Sequence, residues 1–227
     1  MLGSRMADIR IRSNDRVLIA GKTGSGKTYL ARFLTRKLPR LIVIDSKASL
    51  GEWNLDPWNG DARRRLKNNE PVRARVLDDL QREPEEQYAE LATLLLQSGN
   101  VTLYIDELYA VVPPSSRIPP PINALWTRGR EPGIGVWAST QRPVWIPLVA
   151  LSEAEHLFCF RLSLLDDRRR MAEFMTEEVL SRISDVHGFY YMQASEDEPH
   201  FIPELKTGKE PTIEATRSRA RPTGLKE

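Results

Sequence analysis

A chain of 227 residues is long enough for one α/β domain with a buried central sheet and too short for two full-sized enzyme domains. With 41% hydrophobic and 28% charged residues, the composition is that of a soluble globular protein and excludes general disorder. A formal net charge of +2 is less basic than a duplex-coating protein would carry, so any nucleic-acid contact must come from local clusters, and the overall charge neither supports nor excludes DNA. The single cysteine, Cys159, lies in an apolar stretch, which rules out an intrachain disulfide and predicts a buried thiol in a reducing compartment. No apolar run reaches the roughly 18 residues of a membrane span, and residues 1–12 lack the apolar centre of a signal peptide. The expectation is a cytoplasmic protein without a membrane partner, with Met6 an alternative start to Met1.

In chain order, Val17 to Ala20 is a short apolar strand that runs into the glycine-rich stretch Gly21 to Gly26. Thr28 to Leu38 then has helical spacing through Leu30, Phe33, Leu34 and Leu38. Leu41 to Asp45 reads as a buried parallel strand with a carboxylate at its site-facing end. Residues 46–70, with tryptophans, prolines, asparagines and the basic run Arg63, Arg64, Arg65 and Lys67, read as an irregular insertion. Val72 to Leu77 alternates like a half-exposed strand, and Pro84 to Gln97 is a helix through Tyr88, Leu91, Leu94 and Leu95. Val101 to Ile105 is a buried strand that ends in Asp106 and Glu107; a proline-rich loop follows. A helix at Ile122 to Thr127, strands at Ile134 to Ser139 and Phe158 to Leu162, and a helix at Asp166 to Phe174 complete the alternation. Strands alternating with helices predict a mostly parallel sheet covered on both faces. Beyond Glu177 come a short helix, a hairpin around Tyr190 and a polar tail. The domain limits drawn this way are an N-terminal extension at 1–15, a core at 16–205 and a basic, flexible tail at 206–227.

Gly21-Lys22-Thr23-Gly24-Ser25-Gly26-Lys27-Thr28 fits G-x-x-x-x-G-K-[ST] between a strand and a helix, the context that separates a phosphate loop from a chance glycine-rich turn. The glycines let backbone N–H groups turn inward around a β-phosphate, Lys27 reaches the β- and γ-oxygens, and Thr28 offers a hydroxyl to Mg²⁺. Bound ATP and Mg²⁺ are therefore expected. Alternation along the strand splits the roles of the adjacent carboxylates: Asp106 for the metal shell, Glu107 to orient and deprotonate the attacking water. Gln141 ends the next strand and is either a γ-phosphate sensor or an ordinary polar loop residue. Arg128 and Arg130 are either an arginine finger reaching a neighbouring subunit or solvated helix-end charges.

The phosphate loop, Asp45-Ser46-Lys47, Asp106-Glu107, and Gly129-Arg130-Glu131-Pro132-Gly133-Ile134-Gly135 leading to Thr140-Gln141-Arg142-Pro143 together resemble the FtsK/HerA superfamily of DNA-pumping ATPases. The resemblance runs roughly from Arg16 to Phe174 and is greatest to the small viral genome-packaging members. It implies a P-loop NTPase core of the RecA/ASCE-like kind, a mostly parallel central sheet with helices on both faces. It assigns Arg130 as the trans finger and Gln141 as the sensor. It also implies a homo-oligomeric ring, usually of six subunits, that threads double-stranded DNA, with a capsid or portal protein as a further partner. No winged-helix module or membrane segment of the larger members is recognisable, which favours the packaging motors and places the protein in the host cytoplasm or at a capsid vertex. The rival readings are an ATP-gated assembly or coupling protein that does not pump DNA, and an ATPase of secretion or conjugation. Candidate DNA contacts are Arg63 to Lys67, Arg117 and Arg217 to Arg221, with solvated faces as the competing reading. The five tryptophans read as core or subunit packing, and the three histidines show no metal-ligand spacing.

Overall fold

The computed structural model describes residues 9–79, 81–114, 117–181, 183, 187–205 and 211–215. Its first half contains β1 (Arg10–Arg12), β2 (Arg16–Ala20), α1 (Lys27–Thr35), β3 (Arg40–Ile44), β4 (Asp56–Pro57), α2 (Gly60–Lys67), β5 (Val72–Val76) and α3 (Pro84–Ser98). The second half contains β6 (Thr102–Ile105), α4 (Leu108–Val111), α5 (Pro120–Arg128), β7 (Gly135–Thr140), α6 (Leu148–Ser152) and β8 (His156–Phe160), then α7 (Leu165–Met175), β9 (Phe189–Gln193), β10 (His200–Ile202) and β11 (Thr212–Glu214).

Strands that are covered on both sides carry unbroken apolar runs, and every residue of β2, β6, β7 and β8 is buried. The main sheet has the order β10-β9-β8-β2-β7-β6-β3-β5-β4. Its strands are parallel from β8 to β4, and β9 and β10 are antiparallel additions. Alternation sends Leu18 and Ala20 to one face and Val17 and Ile19 to the other. The first face packs against α2, α3, α5, α6 and α7 through Leu66, Leu95, Leu125, Leu151 and Met171. The second packs against α1 through Leu30, Ala31 and Leu34, with Trp53, Ile9 and Ile11 beside them. The expected mostly parallel sheet with helices on both faces is the fold observed, with coverage divided unequally.

Three segments differ from the sequence expectation. Residues 46–70 are not irregular: they contain a 3-10 turn, the edge strand β4 and helix α2, which is capped by the Asn59 side chain accepting from Ala62 N at 3.0 Å. Ala62 and Leu66, four residues apart, are its buried contacts. The strand expected at Phe158 starts two residues earlier, because His156 is buried between Asp15 Oδ2 at 3.1 Å and the Tyr191 hydroxyl at 3.0 Å. The hairpin expected around Tyr190 is present as β9 paired antiparallel with β10, Tyr190 standing opposite Phe201. Finally, β1 and β11, from either side of the limits drawn at 15 and 206, pair in parallel as a separate ribbon. The rest of the tail, Arg217 to Arg221 included, lies outside the described residues. Cys159 is buried, which pushes its thiol up to about 12. Among the described residues no helix is long and apolar enough to cross a membrane.

Gly135, the first residue of β7, sits against the backbone of the β1–β2 turn: a Cβ there would approach Ser13 O to 2.0 Å and Ser13 C to 2.9 Å. Backbone on both sides leaves no flexible atom to give way. Gly135→Ala is therefore expected to cost about 2–3 kcal/mol, read as a lower urea midpoint; an unchanged midpoint would show that this contact is not fixed.

Candidate active site

Strand β2 delivers Gly21 to the C-terminal edge of the sheet, between its neighbours β7 and β8. Gly21 N donates to Thr140 O at 3.0 Å, and Lys22 N to Arg161 O at 2.9 Å, so the loop is fastened on both sides. Gly24 and Gly26 have φ of 74° and 106°, the left-handed region that favours glycine. Gly21 is required for space: a Cβ would meet Phe160 Cβ at 2.6 Å and Ser25 Oγ at 2.7 Å. Helix α1 starts at Lys27, and its N-cap Gly26 has no side chain to cap it, which leaves its first-turn N–H groups to an anion. The Ser25 hydroxyl is buried without a hydrogen-bond partner in the same loop. Lys27 Nζ donates to Lys22 O at 3.0 Å, folded across the loop.

Because β7 lies between β2 and β6, the ends of all three strands converge. Asp106 and Glu107 follow β6 and are 8% and 1% exposed. Burial raises both carboxyls above their usual range. The Tyr104 hydroxyl opposes this at Asp106, donating to Oδ1 at 3.2 Å, and the Gln141 backbone opposes it at Glu107, donating to Oε1 at 3.2 Å. Lys47 Nζ stands 3.4 Å from the other Glu107 oxygen. The Gln141 side chain reaches the phosphate loop, where the Thr23 hydroxyl donates to its Oε1 at 2.8 Å. Thr23, Gln141, Glu107 and Lys47 thus form one connected group, and Lys27 lies close enough to feel the charges of Glu107 and Asp106.

Thr28 is exposed at the start of α1, and Asp106 is a buried carboxylate fixed by a phenol. Two hard oxygen donors suit a magnesium ion that takes its remaining ligands from phosphate and water. Among the described residues no group of three or more His, Cys, Asp or Glu is placed to hold a metal.

Asp45 is committed to the fold: its oxygens accept from Ser49 N at 2.9 Å and Leu50 N at 3.0 Å, and Arg75 lies 3.6 Å away. Arg130 is far from this group. Its turn precedes β7, whereas the phosphate loop follows β2, so the length of a five-residue strand, about 17 Å, separates them. Arg130 pairs with Glu155 at 2.8 Å, and Arg128 is exposed nearby. Of the basic run on α2, Arg64 pairs with Asp61 and Glu70 and Arg65 with Asp56, while Arg63 lies over Trp58. Trp53, Trp126 and Trp137 are core residues; Trp145 is 41% exposed under Arg142. Lys47, Tyr104 and Glu155 had no site role in the sequence reading. Lys47 carried the one signal, its position just beyond a strand-ending carboxylate.

No family model matches the chain. It is 32% identical over 167 residues to the DNA packaging ATPase P9 of Enterobacteria phage PRD1, spanning 70% of this chain and 70% of that protein. In structure it is similar to the genome packaging NTPase B204 of Sulfolobus turreted icosahedral virus 2 in complex with AMPPCP. The TM-score is 0.68 at 17% identity, over 86% of this chain and 100% of that one. The pCW3 conjugation coupling protein TcpA shares the fold at a TM-score of 0.54 and 15% identity, over 84% of this chain and 60% of that one.

Burial lowers the Lys27 ammonium to about 8, against the attraction of Glu107 and Asp106. A nearby polyphosphate favours the charged form and raises that pKa. Nucleotide affinity is therefore full below about pH 8 and declines above it, by up to about tenfold per pH unit. The Kd of a non-hydrolysable ATP analogue is expected to rise accordingly, and Lys27→Arg, which keeps its charge, should flatten the profile. A wild-type Kd that is constant across this range would remove Lys27 from the phosphates.

Proposed function

The chain belongs to the family of viral DNA packaging ATPases, and on that premise we propose that it hydrolyses Mg-ATP to drive double-stranded DNA into a preformed capsid. The observation that carries the chemistry is the convergence of Thr23, Lys27, Glu107 and Gln141 at one edge of the sheet, beside uncapped N–H groups.

The α- and β-phosphates lie in the Gly21–Thr28 loop, with Lys27 turned from Lys22 O to the γ-phosphate. Thr28 and Asp106 would hold a magnesium ion, which would neutralise charge on the phosphate oxygens. Glu107 accepts a proton from water as the water oxygen bonds to the γ-phosphorus; the bond to the β–γ bridging oxygen breaks and ADP leaves with that electron pair. Gln141, tied to Thr23, registers whether the γ-phosphate is present. Arg130 stands at the opposite edge and completes a neighbouring subunit's site, so the working form is a homo-oligomeric ring, which we take to be a hexamer. DNA is held without sequence preference, and a capsid or portal protein is the docking partner. The likeness to a conjugation coupling protein is one of fold and does not favour the reading without pumping.

Glu107→Gln is expected to keep nucleotide affinity while turnover falls by about 10²–10⁴, measured by equilibrium binding and phosphate release; lost affinity would make Glu107 structural. Arg130→Ala is expected to bind ATP normally and turn over slowly, and to regain activity when mixed with Glu107→Gln subunits. Activity that responds to neither substitution nor mixing would remove the shared site. Displacement of a triplex-forming strand from duplex DNA tests pumping: ATPase activity without displacement would refute the translocase.

A further inference from the structure

Arg130 stands in a turn whose backbone is fixed before its side chain is placed. At Gly129 a Cβ would come within 2.4 Å of Leu125 O. Ile134 N donates to Gly129 O at 2.7 Å and Gly133 N to Arg130 O at 3.0 Å, with Gly133 at φ 79°. The arginine side chain beyond this turn is 56% exposed, and a long, exposed side chain samples many rotamers. A finger that must arrive at one phosphate in one orientation cannot be left in that state.

Glu155 supplies the restraint. Its Oε1 lies 2.8 Å from Arg130 Nη1, and its Oε2 accepts from Arg16 N at 2.9 Å. The backbone of Glu155 is itself tied on both sides, N to Arg16 O at 2.9 Å and O from Ala194 N at 2.9 Å. The carboxylate is thus anchored to the first residue of β2, inside the sheet, and is ion-paired to the guanidinium while more than half of the arginine side chain stays open to a neighbour. We propose that Glu155 is the positioning residue of the Arg130 finger, aiming its guanidinium outward from the sheet edge at the γ-phosphate of the adjacent subunit. This rests on the reading of Arg130 as a finger acting in trans.

The test is steady-state ATPase activity of Glu155→Gln, Arg130→Ala and the double variant, each with a thermal melt. Gln keeps the acceptor for Arg16 N and removes the charge facing Arg130. Misplacing a reacting group by an ångström costs up to about 10²-fold; Glu155→Gln is expected to lower kcat about tenfold, with KM within about twofold. The melting temperature should hardly move, since half-exposed ion pairs add little stability. Added to Arg130→Ala, the substitution should cause no further loss. Mixing Glu155→Gln with Glu107→Gln subunits should restore activity, because one interface then combines an intact Glu107 with an intact Arg130–Glu155 pair; a residue serving its own subunit's site would not be rescued. Should the Gln variant melt early, Glu155→Asp keeps the charge, retracts the carboxylate by one methylene and should lose kcat in the same direction.

Wild-type kcat in Glu155→Gln beside a slow Arg130→Ala overturns the positioning role alone. Wild-type kcat in Arg130→Ala overturns the finger reading itself. Faster turnover in Glu155→Gln would make the pair a restraint, and an additive loss or a failed rescue would place Glu155 outside the finger's action; each refutes the proposal.

Discussion

The seating of β7 between β2 and β6 is the constraint on which the site depends. Thr140 O, at the end of β7, takes the Gly21 N–H, while Arg161 O beyond β8 takes that of Lys22, so the phosphate loop is suspended between two strand ends. The same placement sets Gln141 between Thr23 of the loop and Glu107, just beyond β6. Were β6 adjacent to β2, a carboxylate would replace an amide beside the loop and the chain would lose the residue that joins Thr23 to Glu107. A loop held at its ends can present N–H groups inward without collapsing onto them, which an uncapped helix start requires.

Charge compensation follows from that arrangement. Two carboxyls of 8% and 1% exposure stand with the buried Lys27 and the half-exposed Lys47 in a strand-end cluster. Burial alone would favour neutral carboxyls and a neutral amine, and the mutual attraction counters it on both sides. Lys27, which donates to a carbonyl of its own loop, holds a position that a phosphate can replace by a short rotation. Lys47, 44% exposed, keeps Glu107 in place from the solvent side.

Much of this was legible in the sequence where local pattern and structure coincide. Unbroken apolar runs marked β2, β3, β6 and β7, and the loop motif stood between the elements its chemistry needs. Helix α2 was hidden because it is short and largely charged, with only Ala62 and Leu66 buried, among tryptophans and prolines that read as loop; the Asn59 cap and the basic last turn were its remaining signals. Adjacency was out of reach for a different reason. Nothing local states that Lys47 meets Glu107 sixty residues on, that Glu155 meets Arg130, or that Arg10–Arg12 pairs with Thr212–Glu214, because those contacts are set by strand order and by three-residue strands too short for periodicity.

Strand order also explains why a single chain is chemically incomplete under the proposed reading. The sensor and the finger flank one strand: Gln141 follows its last residue and the Arg130 turn precedes its first. All six residues of β7 are buried, and it is hydrogen-bonded on both sides, to β2 and to β6. A strand held on both sides does not bend independently of the sheet. On the proposed reading, a shift of this strand would move Gln141 and the Arg130 turn together. Gly129 and Gly135 are packed tightly at either end of that turn, Gly129 on Leu125 O and Gly135 on Ser13 O. The glycine-rich motif and the Gln-Arg-Pro motif, which stand together in sequence, are thus the two ends of one buried strand.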